Sequence, residues 1–379
     1  MPRLRSPRAR RGNVLLRLAA LSLALLTLTG CSTTQIIDVG QPSETAEPEL
    51  TRYQANFLEL FDTVTTVVGY AESEEEFRAV AEELKAGLEE YHRLYDIYDE
   101  YEGINNVKTI NDAAGQGPVE VDERIIDLLL FCREMYDATG GKLDVAMGGV
   151  LKLWHDAREA GEFSEDGELP DQAALEAAAE HCDFDAVVID AEAGTVEITD
   201  PETRLDVGAV AKGYATEQVC KGLPEGYLVS VGGNVRATGP KPDGTPWVVG
   251  VQDPDGGTED YLHTLYASGG SVVTSGDYQR YYYVDGVKYH HIIDPDTLFP
   301  ADRWRSVTIV CEDSGLADAL STSLFTMTQA EGQALLDEFG AEAMWVAADG
   351  EVLYSPGFAE LIKAVSYTHL RAHETRRHL

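Results

Sequence analysis

Positive charge is what this 379-residue chain has least of: 29 Lys and Arg stand against 66 Asp and Glu, a formal net charge of −37. A surface of that sign repels phosphodiester backbones and anionic lipid headgroups, which excludes nucleic-acid binding by phosphate neutralisation. The few cations are unevenly spread. Arg3, Arg5, Arg8, Arg10, Arg11 and Arg17 lie in the first thirty residues, which hold no acid; Arg371, Arg376 and Arg377 lie in the last sixteen beside a single acid, Glu374. The stretch between is more acidic still. An anionic ligand bound there needs a metal ion or backbone dipoles to offset the field.

Cysteine is scarce as well, with five in the chain and no C-x-x-C or zinc-type spacing. Cys132, Cys182, Cys220 and Cys311 are far apart in apolar or helical contexts. Two disulfides or buried free thiols are both open for them. Long hydrophobic runs are missing: Val14 to Leu28 is interrupted by Arg17 and too short to span a bilayer. No internal repeat or low-complexity tract occurs. A composition of 44% hydrophobic and 25% charged residues excludes wholesale disorder.

What is present begins with an address. The Arg-rich start and short apolar run read as a secretory signal over residues 1–30. Leu28-Thr29-Gly30-Cys31-Ser32 resembles a bacterial lipobox, in which Cys31 receives lipid and becomes the new N-terminus. Residues 31–50 are then a polar tether, residues 51–363 the folded domain, and the protein an extracytoplasmic lipoprotein held by acyl chains alone. Residues 364–379 are basic and His-rich, unlike everything upstream, and read as an artefact of the gene model in preference to a disordered tail.

Within the domain, β-branched residues predict a strand over 63–68, and a 3.6-residue apolar stripe predicts a helix from Ser73 to about Tyr98. Helices are expected at 121–139, 171–181, 317–326 and 331–339. Hairpins are expected at 186–198 and around Asp349-Gly350, and strands at 227–231, 248–251, 263–267, 279–284 and 306–311. Helices and strands mix without strict alternation, which defines an α+β class.

Four motifs carry chemistry. Leu205-Asp206-Val207-Gly208-Ala209-Val210-Ala211-Lys212-Gly213 leads from a hairpin into a helix, and small residues there let a backbone approach an anion. Lys212 adds a point charge; the Walker spacing is absent. Ser230-Val231-Gly232-Gly233-Asn234 is a tandem-Gly turn after a strand, where a ring or a phosphate can meet the backbone. Thr274-Ser275-Gly276-Asp277-Tyr278-Gln279-Arg280 is followed by His290-His291-Ile292-Ile293-Asp294-Pro295, in which only one of the two histidines can face a site if the segment is extended. Asp318 and Thr322 are four residues apart, so on a helix a carboxylate and a hydroxyl share a face. That pair suits a hard cation such as Mg²⁺. Each motif alone also has a bland reading, as a packing turn, a capped loop or a first-turn charge.

Together, in this order, the motifs resemble the ApbE-type FAD:protein FMN transferases, bacterial flavin transferases of the cell exterior. The resemblance runs from about Phe61 to about Ala348 and includes Leu94-Tyr95-Asp96-Ile97-Tyr98 and Thr139-Gly140-Gly141-Lys142-Leu143-Asp144 with Leu153-Trp154. Phe61-Asp62-Thr63 stands where many members have Met-Gly-Thr, and Thr297-Leu298-Phe299-Pro300 where they have Thr-Gly-x-Pro. The resemblance implies a single catalytic domain of ApbE-like, T-fold-like architecture that uses Mg²⁺ and FAD. It implies metal ligation by Asp318, Thr322 and the Ala209 carbonyl. It implies flavin-nucleotide contacts from Tyr98, Leu143, Asp144, Asp206, Gly208, Ala209, Lys212, Gly232, Gly233, Ser275, Gly276, Arg280 and His291. His291, Asp294 and Lys212 are the implied catalytic groups, with Asp294 buttressing the histidine or the metal shell. A Thr or Ser hydroxyl of a partner protein would attack the FMN-side phosphorus and release AMP. An FAD pyrophosphatase and a non-catalytic flavin-binding lipoprotein are the alternatives.

Overall fold

The computed structural model describes residues 50–161, 167–257 and 260–363. The expected signal, Cys31, nearly all of the tether and the basic tail lie outside the described residues. Among the described residues no helix is long and apolar enough to cross a membrane.

One eight-stranded sheet organises the molecule: β1 (Thr51–Leu60), β2 (Thr63–Ala71), β3 (Tyr227–Val231), β4 (Asn234–Ala237), β5 (Gly270–Gly276), β6 (Trp304–Cys311), β7 (Glu342–Ala347) and β8 (Val352–Tyr354). The spatial order equals the chain order and every neighbouring pair is antiparallel. Apart from a short helix, Phe358–Leu361, after the last strand, the other elements are inserted between consecutive strands. Between β2 and β3 come α1 (Glu74–Tyr95), α2 (Val107–Asp112), α3 (Glu123–Ala138), α4 (Gly148–Gly161), α5 (Gln172–Ala179) and α6 (Ala211–Cys220); between β6 and β7 come α7 (Ser314–Thr326) and α8 (Gln329–Phe339).

Side-chain alternation explains why both faces of the sheet are covered. Val67, Val273, Ala343 and Trp345 point into the main core with the helices, whereas Val68, Val272, Met344 and Val346 point into a second core on the other face. A hairpin of Trp247–Gln252 and Tyr261–Ala267 covers that second face through Trp247, Val249, Val251 and Leu265. On the helical side α1 buries Phe77, Ala81, Leu84 and Leu88 along one stripe, with Ser73 capping its start. Nearly every residue of α7 is buried, because it lies between α6 and strands β5 and β6.

The mixed class expected from sequence is the one observed. Two expected features take a different form. The 73–98 helix stops at Tyr95, where Asp96 turns extended and its carboxylate accepts the Tyr98 and Asp99 N–H groups. The Glu76 carboxylate accepts from the Glu72 N–H rather than from Ser73, so Ser73 makes only half of a capping box. Cys132, Cys182, Cys220 and Cys311 are all free thiols, and burial pushes Cys220 up to about 12.

Candidate active site

The Gly-Ala turn and α7 meet through a shared set of caps. Helix α6 starts after Val210, whose side chain offers no cap; instead Asp318 Oδ2, from α7, accepts the Gly213 N–H at 2.8 Å. In return Glu217 Oε2, from α6, accepts the Ser314 N–H at the start of α7 at 2.9 Å and Arg236 Nε at 2.8 Å. Gly213 is obligatory at this crossing: a Cβ there would lie 2.4 Å from Asp318 Cβ and 2.4 Å from the Ser314 carbonyl oxygen. Asp318 is only 3% exposed, and burial raises its pKa against the opposing pull of Lys212 and the Gly213 N–H. Asn234 also favours its ionised form, although the buried Asn234 Nδ2 has no partner in hydrogen-bond geometry. Lys212 Nζ lies 3.8 Å from Asp318 Oδ2 and donates to the Gly208 carbonyl at 3.3 Å. Thr322, half-buried, follows one turn later on α7, and Ser321 Oγ joins Ser275 Oγ at 2.8 Å, which ties β5 to the same helix.

The remaining motifs converge on this corner. Gly232 and Gly233 both take positive φ, +57° and +95°. A Cβ on Gly232 would stand 2.7 Å from Thr63 Oγ1, and the Gly232 N–H bonds the Val64 carbonyl, so the Phe61-Asp62-Thr63 string and the tandem-Gly turn touch. Asp206 and His291 are each partly open to solvent, yet their ionising groups are almost wholly surrounded by protein. With Lys212 and Arg280 they form the polar cluster of the candidate pocket. Burial raises Asp206, offset by the Gly208 N–H at 2.8 Å and by His155, Arg280 and Lys212. Burial, with help from Arg280, His290, Lys212 and Arg158, pushes His291 down to about 3. Tyr98, 57% exposed as a residue, has a hydroxyl pushed up to about 12 by local burial and by Asp206, with Arg158 and Arg280 opposing.

His290 and His291 divide as an extended segment requires. His290 is buried, its Nε2 2.7 Å from the Ala301 carbonyl and its Nδ1 accepting the Ile292 N–H. His291 faces the cations, its Nδ1 3.3 Å from the Arg280 carbonyl.

Three expected site residues make contacts of another kind. Asp294 does not buttress His291: its carboxylate is held by Lys142 at 2.9 Å and by the Asp296 N–H, because the 139–142 turn brings a lysine against it. The Leu143 side chain is packed in the main core, 2% exposed. Asp144 is raised to about 6 by burial, accepts the Ala146 N–H at 2.8 Å, and feels Asp183 and Arg133 rather than the pocket cations. Conversely, His155 and Arg158 reach the pocket from α4 and were not singled out in the sequence; their spacing beyond Trp154 was the available signal. A groove of about 490 Å³ between Arg93, Ile104, Asn105 and Val121 shares none of these residues.

The fold is shared with the ApbE protein from Thermotoga maritima, with a TM-score of 0.73 and 32% identity over 83% of this chain and 100% of that one. The flavin transferase ApbE from Vibrio cholerae superposes with a TM-score of 0.67 at 22% identity, covering 87% of this chain and 100% of that one, which speaks for the fold alone. The shared architecture, at 32% identity to the Thermotoga protein, thus defines a protein of the ApbE class. In sequence, the FAD:protein FMN transferase of Treponema pallidum is 33% identical over 308 residues, 75% of this chain and 83% of that protein. The enzyme of the same name from Klebsiella pneumoniae is 29% identical over 276 residues, covering 69% and 84%. The ApbE family model matches residues 61–345, and the chain belongs to that family.

Proposed function

We propose that this chain transfers FMN from FAD to a Thr or Ser hydroxyl of an extracytoplasmic protein and releases AMP. The single observation that carries the reading is the corner where Asp318 Oδ2 accepts the Gly213 N–H at 2.8 Å with Lys212 Nζ 3.8 Å away, one turn before Thr322. At His291, Nδ1 lies 3.3 Å from the Arg280 carbonyl, which can only accept, so Nδ1 carries the proton and Nε2 is left as an acceptor. The hydroxyl oxygen forms a bond to the FMN-side phosphorus, the bond from phosphorus to the AMP oxygen breaks, AMP keeps the electron pair, and the hydroxyl proton passes to His291 Nε2. Lys212 and Arg280 hold the pyrophosphate, and the exposed Tyr98 ring offers a face to the isoalloxazine.

Among the described residues no cluster of three or more His, Cys, Asp or Glu could hold a metal. A zinc-like site is therefore a poor fit. A buried carboxylate with a hydroxyl one turn on, and a backbone carbonyl at Ala209 in the turn that leads into α6, fits Mg²⁺, which keeps places for water and phosphate oxygens. Asp318, Thr322 and Ala209 would hold that ion, whose charge would offset the pyrophosphate in a molecule of net −37. We further propose that the enzyme works outside the cytoplasm, attached through lipid on Cys31. Acceptors would be subunits of membrane electron-transfer complexes or FMN-binding proteins.

The test incubates the protein with FAD, Mg²⁺ and a Thr-bearing acceptor, then views a denaturing gel under ultraviolet light. A fluorescent acceptor band is expected; free FMN with no band would make the enzyme a pyrophosphatase. Asp318→Asn keeps an oxygen for the Gly213 N–H, so it should fold normally while losing on the order of 100-fold or more in rate. Asp318→Ala should lose activity and also about 1 kcal/mol of stability with the cap. Full activity in Asp318→Asn would remove the metal assignment. Cys31→Ser should leave the protein unattached to membranes.

A further inference from the structure

Helix α4 brings a built cation into the pocket. Arg158 Nη2 lies 2.7 Å from His155 Nδ1, and His155 Nε2 lies 3.2 Å from Glu159 Oε1. A guanidinium only donates, so Nδ1 accepts, and the imidazole proton sits on Nε2 facing the Glu159 carboxylate. Glu159 thereby fixes the tautomer of His155, and His155 fixes the guanidinium. The His155 ring also packs on Tyr98, centroids 5.5 Å apart at 34°.

The helix that carries this chain of contacts is pinned at several points to the pocket's own walls. At its start the Gly148 N–H bonds the Arg204 carbonyl at 2.9 Å, next to the turn that holds Asp206. At its middle Trp154 Nε1 donates to the Leu298 carbonyl at 2.8 Å and its ring stacks on Tyr289 at 5.9 Å. At its end Gly161 admits the Tyr282 ring, which a Cβ would meet at 2.7 Å. Tyr282 and Tyr289 belong to the hairpin that joins Arg280 to His291. The charge of Arg158 is felt by His291, Tyr98 and Tyr282 together.

We infer that Arg158, positioned by His155, is a third substrate-binding cation of the pocket and contacts the dinucleotide's pyrophosphate. The inference rests on the flavin-dinucleotide reading of the site. It assigns a role to α4 that none of the four glycine and acid motifs supplies, and it adds a cation where the field of the whole molecule is adverse.

The experiment titrates the intact protein, with Mg²⁺ present, with FAD and separately with riboflavin, following flavin fluorescence. Arg158→Gln should weaken FAD binding about tenfold or more, as loss of a charge-assisted hydrogen bond implies, and leave riboflavin binding unchanged. Arg158→Lys should recover most of the loss. His155→Ala should weaken FAD binding by severalfold, and His155→Asn, which retains an acceptor for the guanidinium, should restore it. Unchanged FAD affinity in Arg158→Gln, or equal losses for FAD and riboflavin, would overturn the inference. Wild-type protein that binds FAD without modifying any acceptor would refute the proposed transfer and leave this comparison of ligands standing.

Discussion

Asp144 is a carboxylic acid whose environment disagrees with its charge. Burial raises it from an ordinary carboxylate value to about 6, so the folded state holds its proton more tightly than the unfolded chain does. The sign follows: its contribution to stability is fully present below about pH 4 and is lost as pH rises through about 6. Asp144→Asn keeps an oxygen for the Ala146 N–H and removes the ionisation. Relative to wild type, the variant should gain about 2–3 kcal/mol between pH 4 and pH 7, read from urea unfolding at the two values. A constant difference would mean that Asp144 is not desolvated. Two further residues show where the sequence is silent. Asp62 and Leu298, which stand where the resembled pattern has glycine in many members, both take a left-handed backbone, with φ of +54° and +60°. Phe61-Asp62 forms a two-residue hairpin turn with both φ positive, and the Leu298 carbonyl accepts from the Trp154 indole N–H. A substitution is visible in a sequence; the left-handed conformation it adopts at a cost of about 1 kcal/mol is not.

Among elements, α6 and α7 are the pair on which the metal-facing corner depends. Each helix lacks a sufficient cap of its own for part of its first turn and takes one from the other, Asp318 for Gly213 and Glu217 for Ser314. Their spacing is set by the missing side chain at Gly213. Gly213→Ala would push the backbones apart by the overlap with Asp318 Cβ and the Ser314 carbonyl. It should cost about 1–3 kcal/mol, seen as a lower melting temperature, and should abolish transfer even where the protein stays folded. A variant as stable and active as wild type would show that the helices can separate without harm. This pairing was half legible. Asp318 and Thr322 share a face by spacing alone, and Gly213 lies in a conspicuous small-residue run, but nothing in the sequence says that the two segments cap each other. The strands of the sheet were legible where β-branched residues cluster, as in β2 and β6. β1 is harder to read because the centre of its buried face is only Ala55, and past Phe57 the alternation breaks at an exposed Leu58 where the register shifts. α4 was missed because it opens on Gly148-Gly149, which local propensity counts as a loop.

At the scale of the whole molecule, a net charge of −37 opposes the approach of its own anionic substrate. Lys212, Arg280 and Arg158 gather at one pocket and act over a few ångströms, whereas the acidic surface acts over the Debye length, about 10 Å at 0.1 M salt. The two fields respond differently to salt. Raising ionic strength screens the long-range repulsion first and leaves the partly desolvated contacts in the pocket less affected. The association rate for FAD, measured by stopped-flow fluorescence at constant Mg²⁺, should therefore rise severalfold between about 20 and about 300 mM KCl. A basic pocket on a basic protein would show the reverse slope. An acceptor with lysines beside its target hydroxyl should slow over the same range, because its attraction to the acidic surface is what the salt removes. Opposite slopes for the two substrates would establish that the acidic surface selects the acceptor while the pocket cations, against that surface, hold the nucleotide. A falling rate for FAD would mean that the local cations dominate the approach from the start.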